Sequence, residues 1–250
     1  MKPVLIIILI ISLGSFSFIN RTDAVQKIMI SEINGNPIWK FSGQSPFFYK
    51  SRMSIDADGA PDAYHPDNIG RDNLINAGKK GNWWALVTHN GKRSGIPVIQ
   101  GQGDPCPGYY ISTTALEDTS KAITDPGRYV DSSKIPYIAL PPSVKGLGKA
   151  GLGDFTAVIN LNNGKVSYAI FADIGPDDSL GEGSIALAEA LGIPSSPRKG
   201  GTGTEKCVIY LVFPGSGNGK ARPLDQIKTE GERLFQDWGG MARVKEIFGD

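Results

Sequence analysis

The stretch FTAVINLNNGKVSYAIFAD, residues 155–173, is the clearest structural signal in this chain of 250 residues. Two apolar runs flank Asn162-Asn163-Gly164, and Asn-Gly supplies the positive φ angles that a tight hairpin turn requires. The stretch therefore predicts two antiparallel strands, residues 155–161 and 165–173. Further strand-like runs bounded by Gly, Pro and Asn extend this pattern, at residues 83–89, 96–100, 109–113, 137–140 and 207–213.

Two segments have helical spacing instead. Residues 184–191 begin with a serine that can cap a helix and end at a glycine, and residues 224–238 stop at a pair of glycines. Predicted strands clearly outnumber helices, and strands do not alternate with helices as in a parallel doubly wound sheet. We therefore predict one mainly-β domain, a β-barrel with a few short helices, over residues 25–250.

Residues 1–24 have the features of a signal peptide. Lys2 precedes an unbroken apolar run, residues 4–11, which is shorter than the roughly 20 residues that span a bilayer. We expect an extracellular protein without membrane association after cleavage; an uncleaved N-terminal anchor is the alternative. Cleavage removes Lys2, Arg21 and Asp23, so the 26 basic and 25 acidic residues become 24 of each. This balance argues against a nucleic-acid partner.

The cysteines and histidines are few. In an exported protein, Cys106 and Cys207 most simply form one disulfide, with two free thiols as the alternative. Two cysteines cannot build a thiolate zinc site. His65 and His89 lie in unrelated settings, so neither a multi-histidine metal site nor a Ser-His-Asp triad is supported. No nucleotide-binding motif is present, and we predict neither a metal nor a cofactor.

Acidic residues are concentrated in two blocks. Residues 53–72 contain five aspartates and one basic residue, and residues 172–189 contain three aspartates, two glutamates and no basic residue. Aspartate beside glycine or proline commonly forms turns, which accounts for any single one of them. Two such blocks in one domain could also line a cleft for a cationic ligand. Residues 56–59 (DADG) faintly resemble a calcium loop but lack the later glutamate of an EF-hand.

The second block contains a pair of carboxylates suited to catalysis. Asp173 ends a predicted strand, and Glu182 lies between two glycines just before a predicted helix. Glycoside hydrolysis requires two carboxyl groups, one a neutral acid and the other an ionised base or nucleophile. A helix N-terminus would lower the pKa of Glu182, whereas burial and repulsion from Asp173 would raise it. The sequence leaves the direction of that pKa shift open.

Aromatic residues could stack on sugar rings, although packing in the core explains them equally well. With the first acidic block they complete the predicted substrate-binding set: Asp56, Asp58, Asp62, Tyr64, His65, Trp83, Trp84 and Tyr109.

Seven segments resemble glycoside hydrolase family 75, the fungal-type chitosanases. They are IDADGAPDAYHPD (55–67), GNWWALVT (81–88), DPCPGYYISTTAL (104–116), IPYIALP (135–141), GDFTAVIN (153–160), YAIFADIGPDDSLGEGSIALAEALGI (168–193) and YLVFPGSG (210–217). The resemblance implies an inverting endo-hydrolase of the β-1,4 links of chitosan, without a cofactor. It maps the essential residues onto Asp173, the general base, and Glu182, the proton donor.

The late strand-turn-helix pattern also resembles double-psi β-barrels such as barwin and the expansins. Two alternatives therefore stay open. One is a double-psi enzyme that cleaves peptidoglycan, and the other is a non-catalytic, expansin-like protein that binds wall polysaccharide. For the chitosanase we expect chitosan as the partner and a monomeric protein.

Overall fold

The computed structural model describes residues 26–249, so the predicted leader lies outside the described residues. The strands are β1 Lys27–Ile33, β2 Asn36–Phe41, β3 Phe47–Ser51, β4 Ser54–Asp56, β5 Gly78–Lys79, β6 Asn82–Trp83, β7 Tyr137–Leu140, β8 Phe155–Asn160, β9 Lys165–Ile174, β10 Glu182–Ser184 and β11 Val208–Val212. The α-helices are α1 Pro142–Gly148, α2 Ile185–Leu191, α3 Leu224–Trp238 and α4 Gly240–Phe248, and single 3-10 turns lie at Leu74–Ala77 and Pro126–Arg128.

One large sheet organises the protein. Its nine strands follow the order β1-β2-β3-β11-β8-β9-β7-β10-β4, and the sheet curls into a half-barrel. The β7–β9 and β10–β4 pairs are parallel, and the other neighbours are antiparallel. The prediction of a mostly-β fold with few short helices is confirmed, while the double-psi connection stays a prediction. Among residues 26–249, no helix is both long and apolar enough to cross a membrane.

Hydrophobic side chains fill both faces of this sheet. Ile138 and Phe171 belong to the cluster that includes residues of α2, and Ile170 belongs to a second cluster with Phe235 and Trp238 of α3. Strands β7, β8 and β11 are buried along their whole length. This explains why β7 and β11 are continuous apolar runs in the sequence rather than alternating ones.

The strongest local predictions are confirmed. The hairpin forms as β8 and β9, the run at 207–213 contains β11, and residues 224–238 form α3. Helix α2 begins after Ser184, whose hydroxyl accepts a hydrogen bond from the Leu187 N–H at 3.1 Å. This bond satisfies one of the backbone donors that a helix start leaves unpaired.

The strands predicted at 83–89, 96–100 and 109–113 are wrong as regular strands. Apart from Trp83, which belongs to the short β6, these segments pair through single bridges, Leu86 with Ser112, Thr88 with Pro97 and Ile99 with Tyr110. Pro97 has no N–H to donate, and the glycine-rich turns between the segments interrupt the pairing. The apolar positions instead form a small separate cluster, Val87, Val98, Ile111 and Tyr129.

The predicted disulfide is also wrong, because Cys106 and Cys207 are free thiols. Cys106 lies in the loop after Gln100, whose side-chain oxygen accepts its N–H at 3.0 Å. Cys207 is buried directly before β11. Burial is the first cause that raises the pKa of both thiols, and the next contribution comes from Asp62 at Cys106 and from Glu205 at Cys207. The two thiols therefore have different neighbours.

Candidate active site

Three adjacent strands bring the predicted catalytic carboxylates into one row. In the register, Ala139 of β7 pairs with Asp173 of β9 on one side and with Glu182 of β10 on the other. Neighbouring strands lie about 4.8 Å apart, so the Cα atoms of Asp173 and Glu182 are about 10 Å apart. The small side chain of Ala139 lies between them.

An irregularity in β9 directs Asp173 into this row. Ile138 pairs with Phe171, but the next residue, Ala139, pairs with Asp173, so Ala172 is an extra residue in β9. Strict alternation would place Asp173 on the same face as Phe171, which is in the hydrophobic core. A bulge of this kind redirects a side chain, and here it places the carboxylate beside Ala139.

Glycine beside Glu182 leaves room for its carboxyl group. A Cβ atom added at Gly175 would lie 3.0 Å from Glu182 Oε2 and 3.6 Å from the Cβ of Ala139. The Glu182 carboxyl therefore points back across β7 toward β9. A larger residue at position 175 would displace it.

The two carboxyl groups differ in their hydrogen bonds. Asp173 Oδ1 accepts the Ala115 N–H at 2.9 Å and the Ile174 N–H at 2.8 Å. Both bonds favour the ionised form of Asp173. The Glu182 carboxyl has no hydrogen-bond donor within residues 26–249, so nothing of this kind favours its ionisation.

Asp56 and Asp58 complete a carboxylate cluster with Asp173. One oxygen from each of the three lies within 4.8 Å of the others. Asp56 accepts the backbone N–H of Asp58 at 2.8 Å, and the Asp58 carboxylate accepts the hydroxyl of buried Tyr64 at 2.7 Å. The Tyr137 hydroxyl donates to the Asp58 carbonyl at 3.0 Å, which ties the DADG turn to β7.

Burial and mutual repulsion raise the pKa of every carboxyl in this site. Burial raises the pKa of Asp56 to about 6, with the neighbouring Asp72 contributing. The pKa values of Asp58, Asp173 and Glu182 are raised well above their usual range, first by burial and then by the charge of Asp56. At Glu182, burial and like charges thus raise the pKa by more than the N-terminus of the short helix α2 could lower it.

The cluster also has the chemistry of a cation site. Asp56, Asp58 and Asp173 offer the hard oxygen ligands that Ca²⁺ and Mg²⁺ prefer. The same close spacing is that of carboxylic acids sharing protons. Hydrogen bonds from Tyr64 and two backbone N–H groups already occupy two of the oxygens, Asp58 Oδ1 and Asp173 Oδ1.

Two predicted substrate-binding residues make other contacts. Both oxygens of the Asp62 carboxylate accept a hydrogen bond from Arg71 Nε–H, each at 2.7 Å. The negative charge of Asp62 is thus paired with Arg71. The ring of His65 packs edge-on against Tyr109, with 4.8 Å between the ring centres. Their contact with a sugar stays a prediction.

The two tryptophans line a groove beside Asp173. Trp84 is 46% exposed and donates its indole N–H to the Asn76 carbonyl, while Trp83 is half-buried. The groove has a volume of about 380 Å³ and also includes Ala115, the residue whose N–H binds Asp173. Lys92, Arg93 and Glu117 line it too, so this groove has mixed charge, and no residue of the two acidic blocks lines it.

The sequence reasoning missed Ala139 and Tyr137 as functional positions. Both lie in the apolar run YIAL, residues 137–140, which has no polar pattern to mark them. Their place beside the carboxylates depends on the pairing of β7 with β9 and β10.

Asp173 is buried and accepts two backbone N–H groups, while half-buried Glu182 has no such donor within residues 26–249. A pair of carboxyl groups in different surroundings on either side of a small residue is the kind of arrangement that glycoside hydrolysis requires. The chain matches the family model for the fungal chitosanases of glycosyl hydrolase group 75 over residues 53–237. It belongs to that family, which confirms the resemblance seen in its motifs and makes it a chitosanase-type glycosidase. No curated protein matches the chain significantly.

Proposed function

We propose that the protein is a secreted endo-chitosanase that cleaves the β-1,4 links of chitosan with inversion, as a monomer. The observation that carries the mechanism is the row Asp173–Ala139–Glu182 across three strands. Family membership supports the polysaccharide substrate, and the apolar leader supports secretion.

In this mechanism, Glu182 is the general acid. It donates its proton to the glycosidic oxygen as the bond from that oxygen to C1 breaks. The raised pKa of Glu182, caused first by burial, keeps the proton in place before the reaction. After the step, Glu182 is ionised and the leaving sugar carries the proton as a hydroxyl group.

Asp173 is the general base. It takes a proton from a water molecule while the water oxygen forms its bond to C1 on the opposite face of the sugar. Burial and then the charge of Asp56 raise the pKa of Asp173, and the two backbone N–H groups on Oδ1 oppose that rise and hold the carboxylate in place.

The strand geometry supports inversion. Inverting enzymes hold their carboxyl groups about 6.5–9.5 Å apart, and retaining enzymes about 5–5.5 Å apart. The Cα atoms of Asp173 and Glu182, on strands separated by one other strand, are about 10 Å apart. The Glu182 carboxyl lies nearer to β9 than its own Cα does, because it points back toward Gly175. The small side chain of Ala139 lies between Asp173 and Glu182, where the proposed water molecule would be held.

Chitosan presents an ammonium group on most of its sugars. The pKa of Asp56 is raised by burial only to about 6, so above that pH its carboxylate adds negative charge close to Asp173 and Glu182, where such a group would be attracted. Farther out, Trp83 and Trp84 offer faces on which sugar rings can stack.

The test is hydrolysis of soluble chitosan by the purified protein and by Glu182→Gln and Asp173→Asn. Each variant should lose about 10²–10⁴ in turnover, since each removes one proton-transfer group. Asp67→Asn is the matched control, because this aspartate of the first acidic block has an exposed side chain. Full activity in either catalytic variant would contradict the assigned roles. Anhydro ends released from peptidoglycan, or no new reducing ends from any glycan, would contradict the chitosanase.

A further inference from the structure

The Glu182 carboxyl depends on its backbone for its position. No hydrogen-bond donor within residues 26–249 reaches it, whereas two backbone N–H groups hold the carboxylate of Asp173. A reacting side chain without such partners keeps its place only through packing and through the chain segment that carries it. The contacts that fix the segment before Glu182 therefore decide where the acid lies.

A hydroxyl group from the core holds this segment. The Tyr210 hydroxyl donates to the Gly181 carbonyl at 3.1 Å, with the Arg52 carbonyl as a second acceptor at 3.3 Å. The Ser54 N–H donates to the same Gly181 carbonyl at 2.9 Å. The residue directly before Glu182 is thus bonded from two sides.

The Gly181 carbonyl belongs to the peptide unit that contains the Glu182 nitrogen. Because this unit is planar, a bond to the carbonyl also fixes the nitrogen and the start of the Glu182 residue. Gly181 has a φ of +96°, and a Cβ atom there would collide with the Arg52 carbonyl, so the backbone is packed tightly at this point. One residue earlier, the Ser51 hydroxyl donates to the Leu180 carbonyl at 2.9 Å.

Tyr210 reaches this segment from a distant part of the sheet. It belongs to β11, which β8, β9 and β7 separate from β10, the strand of Glu182. Its ring stacks on that of Tyr49 with 4.8 Å between the ring centres, and both side chains are fully buried. Within the described residues, the Tyr49 hydroxyl has no hydrogen-bond partner. Core packing thus explains both rings, and the bond to Gly181 distinguishes Tyr210.

We propose that Tyr210, supported by Ser51, is a positioning residue for the catalytic acid. Its hydroxyl fixes the peptide unit before Glu182 and thereby holds that carboxyl at the distance from Asp173 that inversion requires. The inference rests on the proposed role of Glu182 as the general acid. It gives a task to a residue of the apolar run at 207–213, where no polar pattern marks it.

The test is the hydrolysis of soluble chitosan by Tyr210→Phe, which removes the hydroxyl and keeps the ring. Displacing a reacting group by about 1 Å can cost about 100-fold in rate. The Ser54 N–H still holds the Gly181 carbonyl in this variant, so we expect a smaller fall of about tenfold in kcat. KM should not change, because Tyr210 is fully buried and touches no sugar.

Tyr49→Phe is the matched control. It removes a hydroxyl that has no partner within residues 26–249 from the other ring of the same stack, so kcat and KM should stay those of the wild type. An unchanged kcat in folded Tyr210→Phe would overturn the inference. An equal fall in both variants would also overturn it, since packing of the stack would then explain the loss.

The same substitution in Glu182→Gln separates positioning from a general structural effect. A residue that acts through Glu182 has no acid left to position there, so the double variant should have the turnover of Glu182→Gln alone. A further fall in the double variant would mean that Tyr210 acts in another way, and would overturn the inference.

Ser51→Ala is the second variant, for the case that Tyr210→Phe does not fold. It removes the bond to the Leu180 carbonyl, and kcat should again fall while KM stays unchanged. Ser132→Ala is its control, because the buried Ser132 hydroxyl has no hydrogen-bond partner in the described part of the chain. A wild-type kcat in Ser51→Ala would then overturn the inference.

Amide hydrogen exchange tests the Tyr210 bond without any substrate. The Ser54 N–H donates to the same carbonyl as Tyr210, so it should exchange faster in Tyr210→Phe than in Tyr49→Phe. Faster exchange in a protein that cleaves no chitosan would overturn the proposed function and support the hold of Tyr210 on this segment. Unchanged exchange in an active chitosanase would overturn the inference alone.

Discussion

Replacing Ala139 by valine tests the space between the two catalytic carboxyl groups. Ala139 is 2% exposed and pairs with Asp173 on one side and Glu182 on the other. Side chains directly opposite on paired strands have Cβ atoms about 4.5–5.5 Å apart. Two added methyl groups would therefore reach the water position and the Glu182 carboxyl.

The expected loss is large in turnover and moderate in stability. Displacing a reacting group by about 1 Å can cost about 100-fold in rate, and we expect Ala139→Val to lower kcat by at least that factor. Overpacking costs about 1–3 kcal/mol in unfolding free energy. KM should change little, because Ala139 offers almost no surface to the sugar chain.

The assay is release of reducing ends from soluble chitosan, with folding checked by thermal unfolding. Ile138→Val is the matched control, because Ile138 is the adjacent residue of β7 and packs in the hydrophobic core. It should lose about 0.5–1.5 kcal/mol of stability and keep its turnover. A folded Ala139→Val protein with wild-type kcat would refute the proposed position of the water.

Three further predictions follow from buried groups. Burial raises the pKa of Asp56 on folding from 3.8 to about 6, so the folded state binds this proton more tightly than the unfolded state does. The free energy of unfolding from chemical denaturation should therefore fall by about 3 kcal/mol as the pH rises from about 4 to about 6. Asp56→Asn should lack this pH-dependent contribution. Tyr64→Phe removes the 2.7 Å hydrogen bond to Asp58 and should lower the free energy of unfolding by about 1–3 kcal/mol in the same assay. An unchanged midpoint of chemical unfolding would mean that this bond adds nothing to stability. Thiol labelling should modify Cys106 in the native protein and Cys207, 4% exposed, only after unfolding; an unreactive pair would point to a disulfide.

The elements that the sequence predicted correctly are those with a strong local cause. The Asn-Gly turn fixes the β8–β9 hairpin, and Ser184 with Gly192 bounds α2. The segments at 83–113 were misjudged because apolar runs bounded by glycine, proline and asparagine are typical of strands, while the turns between these runs limit their pairing to single bridges. The region of β1 to β3 was not predicted, although β3 is central enough to pair with β11.

Asp173 and Glu182 were identified from their residue types and from their positions at the ends of predicted elements. The sequence did not predict how the two carboxyl groups are placed relative to each other. The bulge at Ala172 and the alignment with Ala139 depend on long-range pairing that no local pattern specifies. The direction of the pKa shift at Glu182 likewise depends on long-range structure, first on burial and then on the charge of Asp56, which is more than 100 residues away in the chain and was assigned to substrate binding.

The anomeric form of the first product tests the central claim most directly. If Asp173 activates a water molecule across the gap from Glu182, cleavage of a β-link releases the α-anomer first. Proton NMR of soluble chitosan during the first minutes of hydrolysis, before mutarotation, should show the α-anomer. A β-anomer, or a covalent glycosyl adduct on Asp173, would contradict the account.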